Sequence, residues 1–293
     1  MNKTETTAGK RLITPLEEMN VIDDFLFYEM LYDEKTGEEV CRIILEKVLK
    51  RRIGEVNFTP QKMIPGISQE AQGIRLDAYI TEKTGDSSAG PDIMVHDLEP
   101  DKRKSKKDYL TKRCRYYSDL IDVQIVNTGV EYEKLPEVVI IFILSYDPFD
   151  SGDMYYEAKS MLKTHPDIPY DDGVRRIYLY TDGKLPENPD DSDIKLKNLL
   201  QYIRRSTEEN ITDETTRRLD DIVKATKHKK DVGIRYMKSW ELERELKEEG
   251  REEGREEERA NTEAERRRAD AAEAQVDQMK AELAKYKEKF GII

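Results

Sequence analysis

An α/β core followed by a long charged helix is the architecture this sequence predicts, and three stretches predict it. Residues 73–80 alternate Ile74, Leu76, Ala78 and Ile80 with Arg75, Asp77 and Tyr79, the period of a half-buried strand. Residues 137–146 (EVVIIFILSY) form a continuous, β-branched apolar run, as a central strand covered on both faces would. Beyond Trp240 the composition changes, with 17 acidic and 12 basic residues between Glu241 and Phe290 and few large apolar ones.

The elements follow in order. Residues 1–15 read as a polar lead-in, residues 16–235 as one α/β domain and residues 236–293 as a charged helical tail. A first helix is expected over Asp23–Leu31, with Asp23 or Asp24 as its N-cap. After a turn around Gly37, EEVCRIILEKVLKRR places Val40, Ile43, Ile44 and Val48 on one helical face. The strand at 73–80 sets Asp77 opposite the aliphatic positions, and TEKTGDSSAG is a turn region. A second strand over Asp92–Glu99 carries Ile93, Val95, Asp97 and Glu99 on one side and Met94, His96 and Leu98 on the other. Pro100 is expected to end or bulge it.

A helix over Ser105–Val126 follows, from the spacing of Leu110, Cys114, Tyr117, Ile121 and Ile125, with Gly129 as its stop. Another strand is expected at Arg176–Thr181, before an Asp-Gly turn, and helices at 193–205 and 213–230. In the tail, Val276, Met279, Leu283, Tyr286 and Phe290 recur at spacings of 3, 4, 3 and 4, a heptad seam that could pair with copies of itself. A partly frayed tail is the alternative.

The chain has 293 residues, a formal net charge of −12 and 38% charged residues, which excludes coating nucleic acid by bulk positive charge. Cys41 and Cys114 lack zinc-type spacing and read as buried thiols of a cytoplasmic protein. The longest apolar run, Val138–Leu144, is far too short to span a membrane. Met1–Arg11 is polar, so no secretory leader is expected.

Chemistry concentrates in Arg75–Tyr117. A hairpin would bring Asp77 and Glu99 side by side although 22 positions separate them, and from Glu99 to Tyr117 eight Lys/Arg face three acids. Two carboxylates beside a basic stretch suit metal-dependent phosphodiester hydrolysis, in which Mg²⁺ or Mn²⁺ neutralises phosphoryl charge and activates water. Asp77 and Glu99 would supply carboxylate ligands and Pro100 a carbonyl oxygen. Lys102, Arg103, Lys104, Lys106 and Lys107 would contact phosphates, and Lys112, Arg113, Arg115 and Tyr116 follow on the next helix. The bland alternatives are surface carboxylates on two strands and a solvated charged loop. His96 faces away from Glu99 and reads as a packed histidine.

The array Asp24-Phe25-x-Phe27, Arg75-Leu76-Asp77-Ala78-Tyr79, Asp97-Leu98-Glu99 resembles the PD-(D/E)XK nuclease family transposases, or recombination-promoting nucleases. It continues through Lys112-Arg113-x-Arg115-Tyr116-Tyr117, Gly129-x-x-Tyr132-x-x-Leu135, Ser145-Tyr146-Asp147-Pro148-Phe149 and the Glu-Gly-Arg-Glu-Glu tail. The resemblance implies a restriction-endonuclease-like core, with a small mixed sheet flanked by helices, acting as a metal-dependent DNA endonuclease. It implies that Asp77 and Glu99 hold the metal. The family's usual Lys or Gln two positions after the Glu is Asp101 here, so Lys102, Lys104 or Lys112 would take the water-orienting role by migration. A DNA-binding or self-associating scaffold that keeps the fold without the reaction is the alternative the departure raises.

Overall fold

The computed structural model describes residues 14–66, 73–83, 93–102, 104, 106–126 and 128–291. The lead-in before residue 14, most of the TEKTGDSSAG turn, Asp92 and Arg103 lie outside them. The described chain divides into two units, Met1–Gly233 and Ile234–Ile293.

In the first unit, α1 (Asp24–Leu31) and α2 (Glu34–Val48) precede the sheet. Asp33 caps α2, its carboxylate accepting from the Thr36 amide at 3.0 Å. Gly37 therefore lies inside α2 and not in a turn, correcting the sequence expectation. A Cβ there would stand 2.2 Å from the Phe58 ring, so glycine is what lets the next strand close on the helix.

Six strands form one mixed sheet in the order β1-β2-β3-β4-β6-β5. They are β1 (Glu55–Ile64), β2 (Ile74–Lys83), β3 (Ile93–Asp101), β4 (Glu137–Leu144), β5 (Tyr155–Ala158) and β6 (Val174–Tyr180). The first three make an antiparallel meander. Helix α3 (Lys107–Val126) then carries the chain to β4, parallel to β3. Gly129 follows α3 at φ +88°, in the left-handed region that closes helix C-termini. β4 also runs parallel to β6, and β5 adds antiparallel at the edge. Helices α4 (Asp191–Arg204) and α5 (Glu214–His228) complete the layer begun by α1 and α2.

Two apolar cores sandwich the sheet. On one side Ala78, Ile80, Leu98, Val139, Ile141 and Leu179 pack with α1, α2, α4 and α5. On the other, Val95, Val138, Ile140, Phe142 and Tyr178 pack beneath Leu110, Cys114, Tyr117 and Ile121 of α3. β4 feeds both cores, as its uninterrupted apolar run requires.

Two strand expectations need correction. Pro100 does not end β3, which pairs with β4 as far as Asp101–Leu144. The β2–β3 ladder has already stopped at Ala78–Leu98, so Pro100 sits where β3 is bonded along one edge and a missing N–H is tolerated. Nor do the aliphatic positions of β2 share one face. Ala78 and Ile80 join the first core, Ile74 and Leu76 the second, so the pleat breaks at Asp77. Opposite it on β1, Gln61 takes φ +48°, a conformation that side-chain-bearing residues seldom adopt in a ladder.

Helix α6 (Lys230–Phe290) begins within the first unit and makes up the described second unit as far as Phe290, and every described residue from Glu241 onward is exposed. Among the described residues, no helix is long and apolar enough to cross a membrane.

Candidate active site

The break in β2 is what makes a site. Where β2 parts from β3, the Asp77 amide loses its ladder partner and donates instead to Glu99 Oε1 at 2.8 Å. That bond ties together the two acids the hairpin was expected to join. Both line a cleft of about 510 Å³ that also takes in Asp24 from α1, Pro100 and Asp101 from β3, and Arg75, Lys112 and Arg113. Tyr28, Tyr109, Tyr116 and Tyr117 form its aromatic wall.

Glu99 is 1% exposed, and its second oxygen accepts from Arg113 Nη2 at 2.5 Å. Arg113 Nη1 donates to Asp101 Oδ2 at 3.1 Å. Behind Glu99, Asp97 is fully buried, and neither carboxyl oxygen has a hydrogen-bond partner among the described residues. Burial, then the Glu99 and Asp77 charges, hold Asp97 well above the ordinary carboxylate range. Burial and the Asp24 charge push Asp77 up to about 6. Burial and the Asp77 charge push Glu99 up to about 8. The group is short of positive charge even with Arg113 in place.

A pH dependence follows. Both shifts are upward, so at neutral pH the folded state retains protons the unfolded chain has released. The resulting stabilisation is complete below the ordinary carboxylate range and is lost as pH rises through about 6 and about 8. Thermal unfolding in a chelator should show Tm falling across that window, and Asp77→Asn should flatten the fall. An equal slope in the wild type and the variant would contradict the assignment.

The sequence-derived residues fall into three groups. Asp77, Glu99, Pro100, Lys112, Arg113 and Tyr116 line the cleft. Lys104 and Arg115 are exposed outside its lining, as surface cations. Lys102, expected to orient water, stands just past the end of β3 and outside the cleft lining, its ammonium held by Asp23 Oδ1 at 2.5 Å. Arg113, expected as a phosphate contact, is engaged by Glu99 and Asp101. Asp24 and Asp101 were not anticipated as site acids. The signal for Asp24 was its place in the matched array, where it also read as a helix cap. His96 is packed as expected, with Nε2 2.8 Å from Glu82 on the opposite face.

The donors suit a hard cation. Mg²⁺ is commonly held by one or two carboxylates with several waters, and Asp77 and Glu99 fit such a grip. Among the described residues, no set of three or more His, Cys, Asp or Glu is arranged to hold a metal ion.

A family model described as PD-(D/E)XK nuclease family transposase matches residues 21–260, spanning every element from α1 into α6. No curated protein and no solved structure matches the chain.

Proposed function

Since this chain belongs to the PD-(D/E)XK nuclease family transposases, we propose that it is a divalent-metal-dependent DNA endonuclease acting in recombination or on mobile DNA. The observation that carries the proposal is the joining of Asp77 to Glu99 at the broken ladder, in a cleft rimmed by cations and tyrosines.

Each part of the cleft has a task. Asp77 and Glu99 would hold Mg²⁺ or Mn²⁺, which when bound supplies charge neutralisation and a water of lowered pKa. The Asp77 amide and Arg113 fix the Glu99 carboxylate from both sides, so its orientation is set before substrate arrives. Arg75 and Lys112 are cleft cations with exposed side chains, and Lys112 takes the place expected of Lys102 in meeting the phosphate. Tyr109 and Tyr116, 60% and 37% exposed, offer ring faces for bases, while Lys104 and Arg115 would track the backbone further out. The two cysteines are free and buried, in keeping with a cytoplasmic protein.

Cleavage of supercoiled plasmid by the purified chain with Mg²⁺ or Mn²⁺ tests the proposal. Salt-sensitive retention of DNA without cleavage would leave the scaffold alternative instead.

The tail adds a partner. Val276, Met279, Leu283, Tyr286 and Phe290 are 43–68% exposed along one side of α6, a seam that none of the described residues of its own unit covers. In heptad register Glu282 falls at g and Lys287 at the following e, opposite charges that face each other in a parallel pair. A second copy is the partner this pattern fits. Leu283→Glu should shift the chain from dimer to monomer in light scattering; an unchanged mass would remove the seam from the account.

A further inference from the structure

We propose that Arg113 is a positioning residue that serves as the resident counter-cation of the site, clamping Glu99 and Asp101 until a divalent ion competes for the same carboxylates. The inference rests on the metal reading above and deepens it.

All three guanidinium nitrogens of Arg113 are committed. Nη2 donates to Glu99 at 2.5 Å, Nη1 to Asp101 at 3.1 Å and Nε to Tyr117 Oη at 2.8 Å. The guanidinium carbon also lies 5.1 Å from the ring centroids of Tyr117 and Phe142. Tyr117 belongs to α3 and Phe142 to β4; both rings sit in the core between them and are 8% and 0% exposed. An arginine so fixed is not a free hand for phosphate. Its fork spans two acids that β3 places two residues apart, a spacing a lysine's single ammonium matches poorly. Its guanidinium cannot be deprotonated in a protein, so the clamp keeps its positive charge.

Two consequences of opposite sign follow. Without metal, losing Arg113 leaves a buried carboxylate uncompensated, and the fold weakens. With metal, the same loss removes a like charge and frees Glu99 Oε2, so the ion binds more tightly. A merely structural arginine predicts the first effect alone. A phosphate-binding arginine predicts neither, only weaker DNA binding.

The test measures Mn²⁺ binding by electron paramagnetic resonance and Tm by calorimetry, on the full chain and on Arg113→Met, Arg113→Lys and Asp77→Asn. The expected result for Arg113→Met is a Tm several degrees below wild type in chelator, a larger Mn²⁺-induced rise, and roughly tenfold tighter Mn²⁺ binding, a factor worth about 1.4 kcal/mol. Arg113→Lys, which keeps a charge, should fall between the two and serves if Arg113→Met does not fold. Equal or weaker Mn²⁺ binding in the Arg113 variants, with Asp77-dependent binding to wild type intact, overturns the clamp and leaves the metal site standing. Absence of Mn²⁺ binding to wild type overturns both.

Discussion

Asp77→Asn and Glu99→Gln should each lower plasmid cleavage by about a thousandfold, corresponding to roughly 4 kcal/mol of lost transition-state stabilisation. Each removes one of the two anionic oxygen donors while keeping the shape of the side chain. The Asp77 main-chain amide that holds Glu99 survives in Asp77→Asn, so a loss there reports on the carboxylate and not on the hairpin. The same variant should be more stable than wild type in chelator. At pH above about 6, wild-type Asp77 is charged against burial and against Asp24, and an amide relieves that cost. The gain at pH 8 should be roughly 2 kcal/mol, vanishing near pH 4, where wild type is itself protonated. Activity lost with stability gained is the signature of a site strained for function. Undiminished cleavage in both variants would remove Asp77 and Glu99 from the reaction.

The second large effect is expected at the far end of the same hairpin. Glu82 is 1% exposed and takes Arg51 in two bonds of 2.6 and 2.7 Å, the Gly54 amide at 2.8 Å and His96 Nε2 at 2.8 Å. Burial alone would raise Glu82, but the bonds from Arg51, His96 and Gly54 outweigh it and hold the carboxyl well below its usual range. Burial depresses His96 below the ordinary histidine range, and its Nε2 lies 2.8 Å from Glu82 Oε2. Glu82→Ala should destabilise the protein by about 3 kcal/mol. The figure is discounted because Arg51 remains 37% exposed and can rehydrate. In a domain of this size that is roughly 6–12 °C in Tm. A depressed carboxylate and a depressed histidine both favour the folded state as pH rises, so the Glu82 contribution is lost on acidification, opposite in sign to the Asp77–Glu99 pair. A Tm within a degree or two of wild type would show that the network carries little.

What the sequence made legible follows from periodicity. Alternation marked β2 and most of β3, and a hairpin between them was enough to bring Asp77 to Glu99. The stripe Leu110, Cys114, Tyr117, Ile121 placed α3 and its buried face. β1 was not legible, because Pro60, Gln61 and Lys62 interrupt its alternation and its edge position leaves much of it wet. The break at Asp77 was hidden too, since Ile74 to Ile80 reads as one clean face until the ladder to β3 stops. Asp24 and Asp101 join the site through tertiary packing that local spacing does not encode. Arg113 is the instructive case. In a run with Lys112 and Arg115 it reads as one more basic residue, yet helix phase puts it one turn before Tyr117, at the margin of the buried stripe. That phase turns it inward, whereas Arg115, two positions on, stays exposed.

The most direct measurement is the anomalous scattering of a crystal soaked in Mn²⁺. A metal peak between the Asp77 and Glu99 carboxylates, absent from Asp77→Asn crystals, is the predicted result. A fully occupied peak elsewhere in the cleft, or none in a protein that still cleaves DNA with Mn²⁺, would contradict the assignment of these two acids as the metal's grip.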